Sequence, residues 1–267
     1  MSTQRRWVSR VLDGYAALVL VFLFVPIAVM VIFSFNKPRG SRNYEWRHFS
    51  LDAWKDPFKY PELKRAFLKS LEIGGIVTVI AAALGTLMAL ALVKYRFSGK
   101  GLVGTIIVLP LTMPEIVMGF SLLTLFVNLN WDTGFWTIVV AHVMFCVSYV
   151  ATTVKARIRG FDWRLEEAAA DLGAGPVRTF ARVTFPIIAP GVFAAALLTF
   201  ALSLDDFTIT YFNSGRVRTF PVEVFTQKRS RIPPQINVFG TMILLAAAVI
   251  AISGVFVQRR RNKISVD

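Results

Sequence analysis

Long apolar runs separated by short polar segments dominate the chain. Gly14–Asn36 holds 23 residues without a charge, and comparable apolar runs recur at 73–93, 102–128, 134–154, 187–211 and 238–257. Each is long enough to cross a ~30 Å hydrocarbon core as a single helix. The pattern predicts an all-α integral membrane protein with six transmembrane helices, built as one transmembrane domain over residues 1–267. The first run follows a basic start, Arg5-Arg6-Trp7 to Arg10. It is longer than a signal peptide's apolar region and is read as a span.

The interruptions carry more information than the runs. Residues 37–72 hold Pro38, Pro57 and Pro61 with Tyr44, Trp46, Phe49 and Trp54. That is long for a structureless loop, so part of it is expected to lie on the membrane or pack on other loops. Glu62 to Ser70 reads as a short helix leading into the second span. Ala81, Gly85 and Ala89 place small residues at four-residue spacing there, a pattern for close helix packing. The third run contains Pro110, Pro114 and the carboxylate Glu115, the fourth His142 and Cys146, and the fifth the pair Asp205-Asp206. Prolines inside a span free backbone carbonyls that neighbouring helices or cavity water must satisfy.

Composition agrees with the pattern. Hydrophobic residues make up 55% and charged residues 17%, against roughly 45–50% and about 25% in soluble domains; mean hydropathy is +0.58. The formal net charge of +14 does not indicate nucleic acid, because Lys and Arg sit in tails and loops. The lone Cys146 has no partner in the chain for a disulfide. His48 and His142 do not form a cluster with metal-ligand spacing. Ser98-Gly99-Lys100-Gly101 lacks both the upstream Gly and the Ser or Thr of a P-loop, so any ATP chemistry belongs to another chain.

Orientation follows positive charge in short flanks. Total counts on the two sides nearly balance, but the tight flanks Arg5-Arg6, Lys155 to Arg159 and Arg259 to Lys263 share one side. That side is expected to be cytoplasmic, with both termini and the loop 155–186 on it.

Within that loop, Asp162 can cap a helix starting at Trp163, and Glu166 and Glu167 favour its dipole. Leu165, Ala168, Ala169 and Leu172 fall on one face. Gly173 stops this helix, and Pro176 starts a second that is expected to end before Pro186. A small apolar face beside Glu166, Glu167 and Asp171 suits a protein partner better than lipid, which calls for bulky apolar and basic residues.

The order Glu167-Ala168-Ala169, Gly173, Val183-Thr184-Phe185-Pro186 resembles the cytoplasmic loop motif of ABC-importer permeases, with Val183 and Phe185 in place of the usual Ile and Leu. The resemblance implies a type I importer permease fold. It also implies a coupling helix, carried by Glu167, Ala168, Ala169, Asp171, Leu172 and Gly173, that seats in a cytoplasmic ATPase. It extends over nearly the whole chain. Met113 to Met118, Leu202 to Asp206 and Gly160-Phe161-Asp162 are similar to the second permease of spermidine/putrescine transporters. A non-catalytic membrane subunit is thus expected. Two ATPase subunits would bind ATP and Mg, beside a second homologous permease and an external binding protein, in a bacterial inner membrane.

An ionisable residue within a span costs roughly 2.5–3.5 kcal/mol on insertion scales and is a functional candidate by default. On straight helices starting at Leu102 and near Ala189, Glu115 lies ~20 Å along and Asp205-Asp206 ~24 Å along. Together they would line one acidic mouth that attracts a polycation, with one aspartate of the pair facing the path. Tyr211 is a nearby candidate for cation–π contact. The competing assignment pairs the aspartates with Arg216 or Arg218 at the interface. At the level of function, a permease for a metal cation or sulfate and a proton-coupled secondary carrier remain alternatives.

Overall fold

The structure, a computed structural model, describes residues 3–228 and 231–264, with side chains over 10–228, 231–250 and 252–253. Arg229 of the last polar loop lies outside the described residues, as do the side chains of the basic flanks Arg5-Arg6 and Arg259 to Lys263.

The elements are helical throughout: α1 (Thr3–Phe33), α2 (Asp52–Lys55), α3 (Pro61–Lys94), α4 (Lys100–Thr112), α5 (Glu115–Asn128), α6 (Phe135–Ile158), α7 (Arg164–Asp171), α8 (Pro176–Thr179), a π turn (Phe180–Thr184), α9 (Phe185–Asp205), α10 (Thr208–Asn213), α11 (Phe220–Gln227) and α12 (Pro234–Ile264). Among the described residues, four stretches are long and apolar enough to cross a membrane: Arg10–Phe33, Pro61–Lys94, Phe135–Ile158 and Pro176–Asp205. The pair α4–α5 makes a fifth if its halves count as one span, and Pro234–Ile250 is a shorter apolar helix.

Three expectations change. The lead-in Glu62–Ser70 and the second span are one helix, α3, because nothing in Leu71-Glu72-Ile73 breaks it. The third run is not straight: α4 and α5 meet at 111°. A residue before proline is driven out of the helical region. Met113 accordingly sits at φ −80°, ψ 139°, and α5 restarts with Pro114 as its N-cap and Glu115 in its first turn. The depth assigned to Glu115 on a straight helix therefore does not hold. Finally, the helix beginning at Pro176 does not end before Pro186. It widens into the π turn, where the Phe185 amide donates to Phe180 five residues back, and continues through Pro186 to Asp205. Pro186 has no N–H to donate, and the wide turn takes up the change in register.

Packing divides the chain into two compact units, Met1–Leu63 with Val224–Asp267, and Lys64–Glu223; α3 and α11 run across the division. In the first unit α1 packs on α12, and the polar segment after α1 folds back on its end. Asn36 donates to Asn43 Oδ1 (2.6 Å) and to the Glu45 carbonyl (2.7 Å), and Asn43 donates to the Phe33 carbonyl (2.9 Å). Phe35 stacks between Phe49 and Trp54, with ring centroids 5.7 and 5.4 Å away. In the second unit α6 is the most enclosed helix, and Ile138, Ala141, Cys146, Val150, Val154 and Ile158 are all buried. Of the small-residue row on α3, Ala81 and Ala89 are fully buried, and a Cβ at Gly85 would fall 2.6 Å from Val150 Cβ. The row serves close helix packing.

Candidate functional site

The polar loop between α6 and α9 is built from local chain chemistry. Asp162 Oδ1 accepts the Arg164 amide (3.1 Å), and α7 starts at Arg164, one residue later than its sequence pattern indicates. At the other end Gly173 takes φ +81°. Its amide donates to the Ala170 carbonyl (2.8 Å) and the Ala174 amide to the Ala169 carbonyl (3.0 Å). This pair of bonds is a Schellman motif, which requires a residue in the left-handed region at that position. Gly175 is extended and Pro176 opens the next helix.

One side of α7 is held down. Glu166 forms an ion pair with Lys94 at the end of α3 and accepts from Thr184 Oγ1 (2.5 Å) in the π turn. Lys94 Nζ also lies 5.5 Å from the Trp163 ring centroid. Burial pushes the Glu166 carboxyl up, but the bonds from Lys94 and Thr184 and the Lys94 charge outweigh it and hold the group below its ordinary value. The other side is open. Glu167, Ala168 and Asp171 are exposed, Leu165 is 45% exposed and Leu172 90%. These leucines leave an apolar strip on a short helix uncovered among the described residues.

The carboxylates Asp205 and Asp206, adjacent in sequence, have different surroundings. Asp205 ends α9; Asp206 is extended (φ −60°, ψ 120°) and lets the chain restart as α10. Asp206 is buried. It accepts the Thr210 amide and hydroxyl (both 2.8 Å) and the Ile209 amide (3.3 Å), and pairs with His142 Nε2 at 3.1 Å. His142, fully buried on α6, also lies 2.9 Å from Thr210 Oγ1 through Nε2 and 2.8 Å from Ser203 Oγ through Nδ1. Asn213 extends the tie by donating to the Gly119 carbonyl of α5 (3.1 Å), and Thr137 of α6 donates to the Asn213 carbonyl (2.8 Å).

Asp205 is exposed and within electrostatic range of Glu115, itself exposed at the start of α5. The structure thus leaves Glu115 and Asp205 exposed at two helix breaks, within electrostatic range of each other, and withdraws Asp206 into the protein. Tyr211 is half exposed, with Phe207 and Phe212 at ring centroids of 5.3 and 6.0 Å. The partner of the buried aspartate is not Arg216 or Arg218; the Arg218 guanidinium lies 3.8 Å from Glu223. Sequence reasoning missed His142. The available signal was the same as for the carboxylates: an ionisable side chain in an apolar span requires a partner.

A family model described as "Binding-protein-dependent transport system inner membrane component" matches residues 81–263. The spermidine/putrescine transport system permease protein PotC of Haemophilus influenzae is 33% identical over 251 residues, covering 94% of this chain and 97% of that protein. The putrescine transport system permease protein PotI of Escherichia coli is 38% identical over 250 residues, covering 91% and 88%. Among solved structures, a bacterial ABC transporter involved in import of the acidic polysaccharide alginate superposes with a TM-score of 0.68, covering 97% of this chain and 98% of that one. At 15% identity this last likeness concerns the fold alone. Apolar spans, the α7 loop and the extent of these matches converge: the chain belongs to the binding-protein-dependent transport system inner membrane components, as a multi-pass, non-catalytic permease subunit of an ABC importer.

Proposed function

We propose that the chain is a polyamine permease, passing putrescine or spermidine from an external binding protein to the cytoplasm by ATP-driven alternating access. The observation that supports the assignment is that Glu115 and Asp205 are both exposed carboxylates at the breaks of two apolar helices, close enough to interact electrostatically. Two negative charges in a low-dielectric path lower the cost of bringing an ammonium group into it and repel anions such as sulfate. The names of the PotC and PotI relatives point to the same substrate class. Tyr211, half exposed on α10, is in this reading an aromatic contact for the cation.

In this reading α7 is the coupling helix. Two cytoplasmic ATPase subunits bind ATP and Mg, and one of them receives Leu165, Ala168 and Leu172. Their closure moves α7 and, through the Glu166 clamp, the ends of α3 and α9. A second, homologous permease completes the path. Both termini and the α7 loop face the cytoplasm.

Reconstitution tests this assignment. Proteoliposomes holding the chain with its ATPase, second permease and binding protein should take up labelled putrescine or spermidine only with ATP, and excess sulfate or ferric iron should not compete. Uptake by this chain alone under a pH gradient would instead support a secondary carrier.

A further inference from the structure

In the second unit α4 packs on α6 and leaves a groove beside the end of α3. Two cavities of about 510 and 170 Å³ run along it and share Leu92, Gly104, Val108 and Lys155. The floor is apolar, with Leu92 and Ile107 buried on Ala151. Its loop end carries three cations, Lys100, Lys155 and Arg159, and no acidic residue lines either cavity. Lys155 is half-buried and, among the described residues, has no carboxylate within ion-pair distance. Lys100 Nζ donates to the Tyr95 carbonyl, at 3.0 Å.

A slot with an apolar floor, Thr105, Thr112 and Thr152 along it and cations at its loop end suits an anionic amphiphile. Acyl chains fit the Leu92–Val108 floor, and a phosphate meets the cations, as basic pockets between transmembrane helices do with acidic head groups. We propose that this groove is a binding site for an anionic phospholipid. The site is separate from the carboxylates of the cargo path and stands whether or not the cargo is a polyamine. A lipid seated here would bridge α4, α6 and the end of α3, which carries Lys94 of the α7 clamp. It would thereby tie the lipid to the coupling apparatus.

The groove offers an unusually clean steric test. A Cβ added at Gly104 meets nothing within 4 Å, so Gly104→Leu can enter the groove without a clash at its Cβ, and it favours helix. The assembled transporter would be titrated with phosphatidylglycerol in nanodiscs of otherwise neutral phosphatidylcholine. Thermal stability and lipid retained in native mass spectra would be recorded. The wild type should be stabilised by phosphatidylglycerol and retain it. Lys155→Gln with Arg159→Gln should weaken that response roughly thirtyfold, the electrostatic contribution of two basic residues at an anionic surface; Gly104→Leu should abolish it. An equal response in Gly104→Leu, or equal stabilisation by phosphatidylcholine, would overturn the proposal. So would loss of the second permease from the Gly104→Leu complex, which would make the groove a protein interface.

Discussion

Nε2 of His142 lies 3.1 Å from Oδ2 of Asp206 and joins α6 to the break between α9 and α10. Asp205 is the last residue of α9 and Asp206 is extended, so the backbone turns between them and the two side chains have different surroundings. Asp206 takes the interior, where an imidazole, a hydroxyl and two amides satisfy it. Asp205 is left outside in range of Glu115. The buried pair fixes the break that holds the exposed carboxylate.

Removing the imidazole should therefore cost far more than removing the exposed acid. His142→Ala leaves a buried carboxylate short of a partner and is expected to destabilise by about 1–3 kcal/mol. Asp205→Ala, on an exposed side chain, should stay within about 0.5 kcal/mol. Thermal denaturation of the two purified variants checks the order.

The same division predicts chemical access. With Cys146 replaced by Ser, Asp205→Cys should react with a cationic thiol reagent, whereas Asp206→Cys should not until His142→Ala is added. Labelling of Asp206→Cys with His142 intact would place that residue in the path after all.

Gly173 offers a test of the coupling loop. Its φ of +81° is costly for a β-branched residue, and a Cβ there meets nothing within 4 Å. Any effect therefore comes from the backbone and not from a clash. Gly173→Val should distort the end of α7 by a strain of about 1–2 kcal/mol and reduce co-purification of the ATPase. Gly173→Asn, better tolerated in the left-handed region, should retain most of it.

The Glu166 clamp sets a pH limit. Because its folded carboxyl is held below the ordinary value of 4.5, the clamp's contribution is present above that value and is lost as pH falls through the folded one. Hydrogen-exchange protection of α7 should be level from about pH 8 to about pH 5 and decline only in stronger acid. Glu166→Gln should remove the acid limb and lower protection throughout.

What the sequence disclosed follows the range of the physics involved. The ends of α7 were legible because Asp162 and Gly173 act on amides within a few residues. The 111° break was half legible: Pro114 announced a disturbance, but a straight span was assumed, although the restriction on Met113 is equally local. The continuation through Pro186 was not legible, since a π turn has no composition of its own. The partition of the aspartates was hidden for a different reason. Asp206 and His142 lie 64 positions apart, and only the packing of α9 on α6 brings them together.

The most direct test of the central claim is polyamine uptake by the fully assembled transporter carrying Glu115→Gln with Asp205→Asn at normal protein levels. The initial rate at subsaturating substrate should fall at least about tenfold, equivalent to about 1.4 kcal/mol, with the ATPase still bound. Unchanged uptake would contradict the assignment of these two carboxylates to the cargo path.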